Sequence, residues 1–203
     1  MNYKTISGFA QAEYVEKRSR FICSAAPVSN EPDALSFIEN IKKQNFGARH
    51  NIFAYSLFEN NIRRFSDDGE PQGTAGIPAL SVLERNEIFD CVLVVTRYFG
   101  GILLGAAGLT RAYSHSAKLG IEAAEIVVRK DAYLAELDCD YSCFENIKSL
   151  ITELEGQVEN CDFSDSIHLS FSIPKDVFSY FCGRISEDSA GKTSANIIKE
   201  KFL

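Results

Sequence analysis

Along the chain, stretches in which apolar and polar residues alternate with period two give way to stretches with period 3.6, and each switch marks an element. The pattern is cleanest near the C-terminus. "DAYLAELDCD" (131–140) alternates and predicts a strand. Behind it, Phe144, Ile147, Leu150, Ile151 and Leu154 form an amphipathic helical stripe. Ser142 and Glu145 read as an S-x-x-E capping box that opens this helix, and Gly156 as the residue that ends it. "QVENCDF" and "SIHLSFSI" predict two strands about a turn at Ser164–Asp165. Pro174 suits the first turn of a second helix, with Val177, Phe178, Phe181 and Ile185 on one face and Gly191 closing it. "KTSANIIKEKFL" predicts a last strand. The order β-α-β-β-α-β over residues 130–203 predicts a ferredoxin-like sandwich.

Residues 1–129 are mixed. Alternation in 3–16 and 20–28 predicts two or three strands, and Asn30 caps a helix carrying Leu35, Ile38 and Ile41. "NIFAYSLF" (51–58) and "NIRRFS" (61–66) predict a hairpin across Asn60–Asn61. The loop "DDGEPQGTAG" (67–76) leads into a helix through "IPALSVLERN". A strand at 91–96 and a long helix after Gly105 complete this part. On that helix Leu109, Ala112, Tyr113, Ser116, Ala117, Gly120, Ile121 and Ala124 share one face, and most are small. The fold class expected is therefore α+β in two domains, residues 1–129 and 130–203.

Composition adds constraints. The 203 residues are 45% hydrophobic and 24% charged, ordinary for a globular chain. No stretch approaches the roughly 18 apolar residues of a membrane span. The N-terminus shows no secretory pattern, so a cytoplasmic location is expected. The six cysteines form no C-x-x-C pair and sit mostly in apolar runs, as reduced buried thiols do. The net charge of -7 is uneven: residues 131–203 hold 6 Lys+Arg against 14 Asp+Glu, whereas 1–130 hold 15 against 14. An acidic C-terminal part disfavours contact with a phosphate backbone there.

Candidate chemistry gathers at two glycine-rich corners. "RYFGGILLGAAGLTRAY" (97–113) has the strand-to-helix form that often holds phosphate. It fails the G-x-G-x-x-G dinucleotide fingerprint, because Leu103 stands two positions after Gly101 where the second glycine is needed. At P-loop spacing from Gly100 and Gly105, Ala106 and Ala107 replace the Lys and the Ser/Thr, so nucleotide hydrolysis is not expected. Two readings of the flanking arginines stay open. Arg97 and Arg111, with Arg63, Arg64, Gly100, Gly101 and Gly105, can bind an anion or nucleic acid. Alternatively Arg97 and Arg111 pair internally with Asp67, Asp68 or Glu70. His50, Asp67, Asp68 and Glu70 form a candidate polar cluster. The acidic loop lacks EF-hand spacing, and no metal, cofactor or catalytic residue is assigned.

"RSRFICSAAPV", "ARHNIFAY", "RFSDDGEPQGTAGIPAL" and "VVTRYFGGILLGAAGLTRAY", in this order, resemble the YigZ/IMPACT family over nearly the whole chain. Ala107 stands where many members have another glycine. The resemblance implies an N-terminal left-handed βαβ domain like those of a ribosomal protein and translocating elongation factors. It also implies a ferredoxin-like C-terminal domain. It implies a non-enzymatic regulatory or binding role in translation, with the ribosome, RNA or a translation factor as partner and neither a membrane nor a specific DNA sequence. The alternative is an enzyme or phosphate-ligand binder with a site between the two glycine loops.

Overall fold

Cys91–Val95, the most apolar short run of the N-terminal half, becomes the middle of a five-stranded sheet. In this computed structural model, which describes residues 2–203, the first part contains β1 (Tyr3–Ile6), β2 (Ala10–Glu16), β3 (Ser19–Pro27), α1 (Glu31–Gln44), β4 (His50–Leu57), β5 (Ile62–Ser66), α2 (Gly76–Arg85), β6 (Cys91–Tyr98), α3 (Gly105–Glu122) and β7 (Ile126–Arg129). The sheet order is β2-β3-β6-β4-β5, with every neighbour antiparallel. β6 is covered on both faces, which is why it reads as an unbroken apolar run rather than an alternation.

Alternate residues of the sheet feed two cores. Phe21, Cys23, Ile52, Leu93 and Val95 pack against α2 and α3, while Tyr55, Leu57, Val92 and Val94 pack against Ala34, Ile38 and Ile41 of α1. The small-residue face expected of α3 is the face it buries, and Ala124 is packed at its edge. Gly120 shows why: a Cβ there would lie 2.3 Å from the Cys23 sulfur. The Asn30 cap of α1 is present, its side chain accepting the Asp33 N–H at 2.9 Å. The β4–β5 connection turns on Asn60 and Asn61, both with positive φ (59° and 49°), as the Asn–Asn pair predicts. β7, for which the pattern gave no signal, pairs with β1.

The second compact unit comprises Arg129–Leu203 with Asn2, and the first Tyr3–Val128. The second unit runs β8 (Asp131–Cys139), α4 (Tyr141–Glu153), β9 (Gln157–Phe163), β10 (Ile167–Pro174), α5 (Lys175–Asp188) and β11 (Ala195–Phe202). Its sheet is antiparallel in the order β11-β8-β10-β9. With two helices in the order β-α-β-β-α-β this is the ferredoxin-like arrangement, so the chain is a two-domain α+β protein. Two local expectations fail. α4 starts one residue before Ser142, with Asp140 at its N-cap and no side-chain cap bond, so Ser142–Glu145 is not a capping box. Glu155, not Gly156, takes the left-handed conformation after α4 (φ 58°). Gly156 is fixed instead by crowding, because a Cβ would meet the Ser172 carbonyl oxygen at 2.7 Å.

Cys23, Cys91 and Cys139 are buried, Cys143, Cys161 and Cys182 are half-buried, and all are free thiols. Burial pushes the Cys23 thiol up to about 12, so it stays protonated. No described helix is long and apolar enough to cross a membrane.

One titration in the second unit is testable. His168 on β10 lies opposite Asp138 on β8, ring nitrogen to carboxylate 3.0 Å. That hydrogen bond raises the His168 pKa above its ordinary 6.5. A raised folded pKa stabilises below about 6.5 and loses that contribution as pH rises through the folded value. An NMR titration of the ring is expected to give a midpoint above 6.5, falling toward 6.5 in Asp138→Asn. An unshifted midpoint in the parent chain would contradict the pair.

Candidate functional site

The register of the central sheet assembles the site. β6 places Arg97 directly opposite His50 of β4 on one side and Phe21 of β3 on the other. Arg97 is only 6% exposed. Its Nη1 donates to Glu70 Oε1 at 2.5 Å, and the Tyr113 hydroxyl of α3 donates to the same oxygen at 2.8 Å. The guanidinium also lies over the Phe21 and Phe99 rings, 5.5 and 5.7 Å from their centroids. Of the two readings of Arg97, internal pairing with Glu70 is therefore present, yet Arg97 Nε has no hydrogen-bond partner. Burial, and then the Glu70 charge, push the Tyr113 hydroxyl pKa well above its usual range.

The acidic loop holds this cluster in place. Asp67 accepts three backbone N–H groups: Gly73 at 2.8 Å, Ala75 at 3.0 Å and Gly76 at 2.8 Å. It thereby caps α2, whose N-cap residue Ala75 offers no side-chain acceptor. Asp68 bonds Lys42 Nζ at 2.8 Å and the Asn51 N–H at 2.7 Å. Its carbonyl takes a hydrogen bond from His50 Nδ1 at 2.8 Å. Because a carbonyl can only accept, Nδ1 carries a hydrogen in that contact, and Nε2 lies 3.9 Å from Glu70 Oε1. The three carboxylates of the loop thus serve three different sets of donors. No group of three or more His, Cys, Asp and Glu suited to a metal ion occurs among the described residues.

The candidate residues fall in three places. His50, Glu70, Arg97 and Gly105 line one cavity of about 390 Å³ on the first unit, where the two glycine loops meet. Asp67 and Asp68 stand behind it. Arg111 does not face this cavity. It lines a separate groove of about 750 Å³ between α2 and α3. Arg63 and Arg64 lie on the outer strand β5, where Arg63 approaches Glu84 at 3.5 Å and Arg64 approaches Glu31 at 3.6 Å. Gly100 is explained by backbone approach: a Cβ would lie 2.0 Å from the Arg18 carbonyl carbon, and its N–H donates to Ser19 Oγ at 3.1 Å. Gly101 and Gly105 supply positive φ, 84° and 69°, at the corner before α3.

Sequence reasoning missed four groove residues. Lys17, Arg85, His115 and Lys118 join Arg111 there, with Glu16 and Tyr14. Lys118 is paired with Glu122 at 3.4 Å. Lys17, Arg85 and Arg111 have no ion pair among the described residues. Tyr14 packs edge-on against His115, centroids 4.6 Å apart. Helical phase was the available signal, since Arg111, Ser114, His115 and Lys118 run along one exposed side of α3.

Residues 17–121 match the family model of the Impact N-terminal domain. The chain belongs to the IMPACT family. Residues 137–192 match a domain of unknown function (DUF1949). The chain is similar to the IMPACT family member YvyE of Bacillus subtilis (strain 168), 37% identical over 203 residues, which is 100% of this chain and 92% of that protein. It is similar to the IMPACT family member YigZ of Escherichia coli (strain K12), 31% identical, with 91% of this chain and 92% of that protein covered. Protein IMPACT of Oryctolagus cuniculus is 32% identical over 94 residues, 44% of this chain and 30% of that protein. A crystal structure of a hypothetical protein superposes with a TM-score of 0.66 at 27% identity, covering 98% of each chain.

Proposed function

We propose that this IMPACT-family chain is a non-enzymatic, translation-associated binding protein that contacts RNA, free or ribosomal, through the groove between α2 and α3. The carrying observation is that Lys17, Arg85 and Arg111 line one groove without ion-pair partners among the described residues. Unpaired cations along a groove track a phosphate backbone, and Tyr14 and His115 offer ring surface on which unpaired bases stack. Charge supports the choice of unit, because residues 131–203 carry 14 acidic against 6 basic side chains. The resemblance to the YigZ/IMPACT family, which implies a role in translation, supports the process.

The test is co-sedimentation with ribosomes and a shift assay on single-stranded RNA, each at low and high salt. Association is expected at low salt and is expected to weaken steeply as salt rises. The triple variant Lys17→Glu, Arg85→Glu, Arg111→Glu is expected to bind at least tenfold more weakly while keeping the parent melting behaviour. Absence of association at low salt, or an unchanged triple variant, overturns the reading.

A further inference from the structure

The cavity lined by His50, Glu70, Arg97 and Gly105 has a different character. It is an open cavity lined by residues of the two glycine loops, and it carries hydrogen-bond donors without a partner among the described residues. α3 is 18 residues long and begins there at Gly105, with Leu104 at its N-cap and no side-chain cap bond. The first four N–H groups of a helix lack intrahelical partners, and the helix end carries partial positive charge. Asp67 answers that need at α2, but no carboxylate answers it at α3. The second, independent observation is Arg97, more than nine-tenths buried in the cavity wall, with Nη1 committed to Glu70 and Nε left unpartnered. Leaving a buried N–H without an acceptor is costly, so an arriving acceptor recovers that cost. Glu70 is already engaged by Arg97 and Tyr113, while the exposed Arg49 adds positive charge at the rim. His50 is a further polar group in the lining, and Phe99, Leu103, Leu104 and Leu109 form an apolar side. At 82% exposure, Leu103 is one of the most exposed large apolar residues in the chain.

We infer that this cavity is a small-molecule site for an oxyanion head group, carboxylate or phosphate, joined to an apolar body. The oxyanion accepts from the first-turn amides of α3 and from Arg97 Nε. The apolar body lies along Phe99, Leu103 and Leu104. The volume of about 390 Å³ suits a compact metabolite rather than a polymer. The site is separate from the α2–α3 groove and does not depend on RNA contact there.

The experiment is a titration of the full-length chain by NMR, with phenyl phosphate in one arm and phenylacetate in the other. Backbone amides of Gly105 and Ala106 and the Arg97 Nε–H are the reporters. A saturable shift of all three, with millimolar affinity in at least one arm, is expected, and the responding arm identifies the head group. Ala106→Asp places a competing carboxylate in the first turn of α3, at an exposed position where an acidic residue favours the helix. That variant is expected to keep or raise the melting temperature and to weaken binding at least tenfold. No shift in either arm overturns the inference. So does a shift confined to Lys17, Arg85 and Arg111, or undiminished binding by Ala106→Asp.

Discussion

Glu70→Ala is expected to destabilise the first unit by about 3–5 kcal/mol, the typical cost of removing one member of a buried ion pair. The reason is what remains. Arg97 would stay in the sheet wall, 6% exposed, with its charge uncompensated and with rings rather than water beside it. The Tyr113 hydroxyl would lose its acceptor as well. Glu70→Gln keeps an acceptor for both donors and loses only the charge, so its cost should be smaller. Pairing Glu70→Gln with Arg97→Met removes both charges and should recover part of the loss, because a buried pair replaced together is far less costly than one that is broken. The measurement is urea unfolding of the whole chain followed by amide hydrogen exchange, which reports each unit through its own residues. A loss below about 1 kcal/mol for Glu70→Ala would mean that Arg97 finds water when its partner goes.

How much of this could be read from the sequence depends on the range of each interaction. The buried face of α3 was legible because helical periodicity is local and the small residues Ala112, Ser116, Ala117 and Gly120 recur on it. The Asn60–Asn61 turn and the order of elements in the second unit were legible for the same reason. The start of α4 was misread because Ser142 and Glu145 satisfy a spacing rule that the structure does not use: the Ser142 hydroxyl lies instead 3.8 Å from the Cys143 sulfur.

The candidate site was legible only in part. Arg97 and His50 are 47 positions apart, and only the register of β6 against β4 sets them side by side. Nothing local reports that register. Tyr113 was read as one more apolar residue of α3, although a tyrosine among alanines and glycines signals a hydroxyl in need of a partner. Arg97 and Arg111 flank the same corner in the chain, but strand and helix send them to different places. Arg97 points with Leu93 and Val95 toward the core, whereas Arg111 lies about 100° around α3 from Ala112 and faces solvent. The two cavities follow from that divergence.

Asp67→Ala is the second large effect, expected at about 3 kcal/mol. One carboxylate accepts from Gly73, Ala75 and Gly76, and charge-assisted bonds to backbone amides are the stronger kind. Alanine would strip the start of α2 of its anionic cap and release the turn that Glu70 N–H makes to the Asp67 carbonyl at 2.9 Å. Asp67→Asn, which retains one oxygen acceptor but no charge, should cost roughly half as much. The two large effects are also coupled, since the loop that Asp67 closes is the loop that aims Glu70 at Arg97. Asp67→Ala combined with Glu70→Ala should therefore cost less than the two single losses added together. In the double-mutant cycle, strict additivity would show that the loop keeps its shape without Asp67, and that Arg97 and Tyr113 alone hold Glu70 in position.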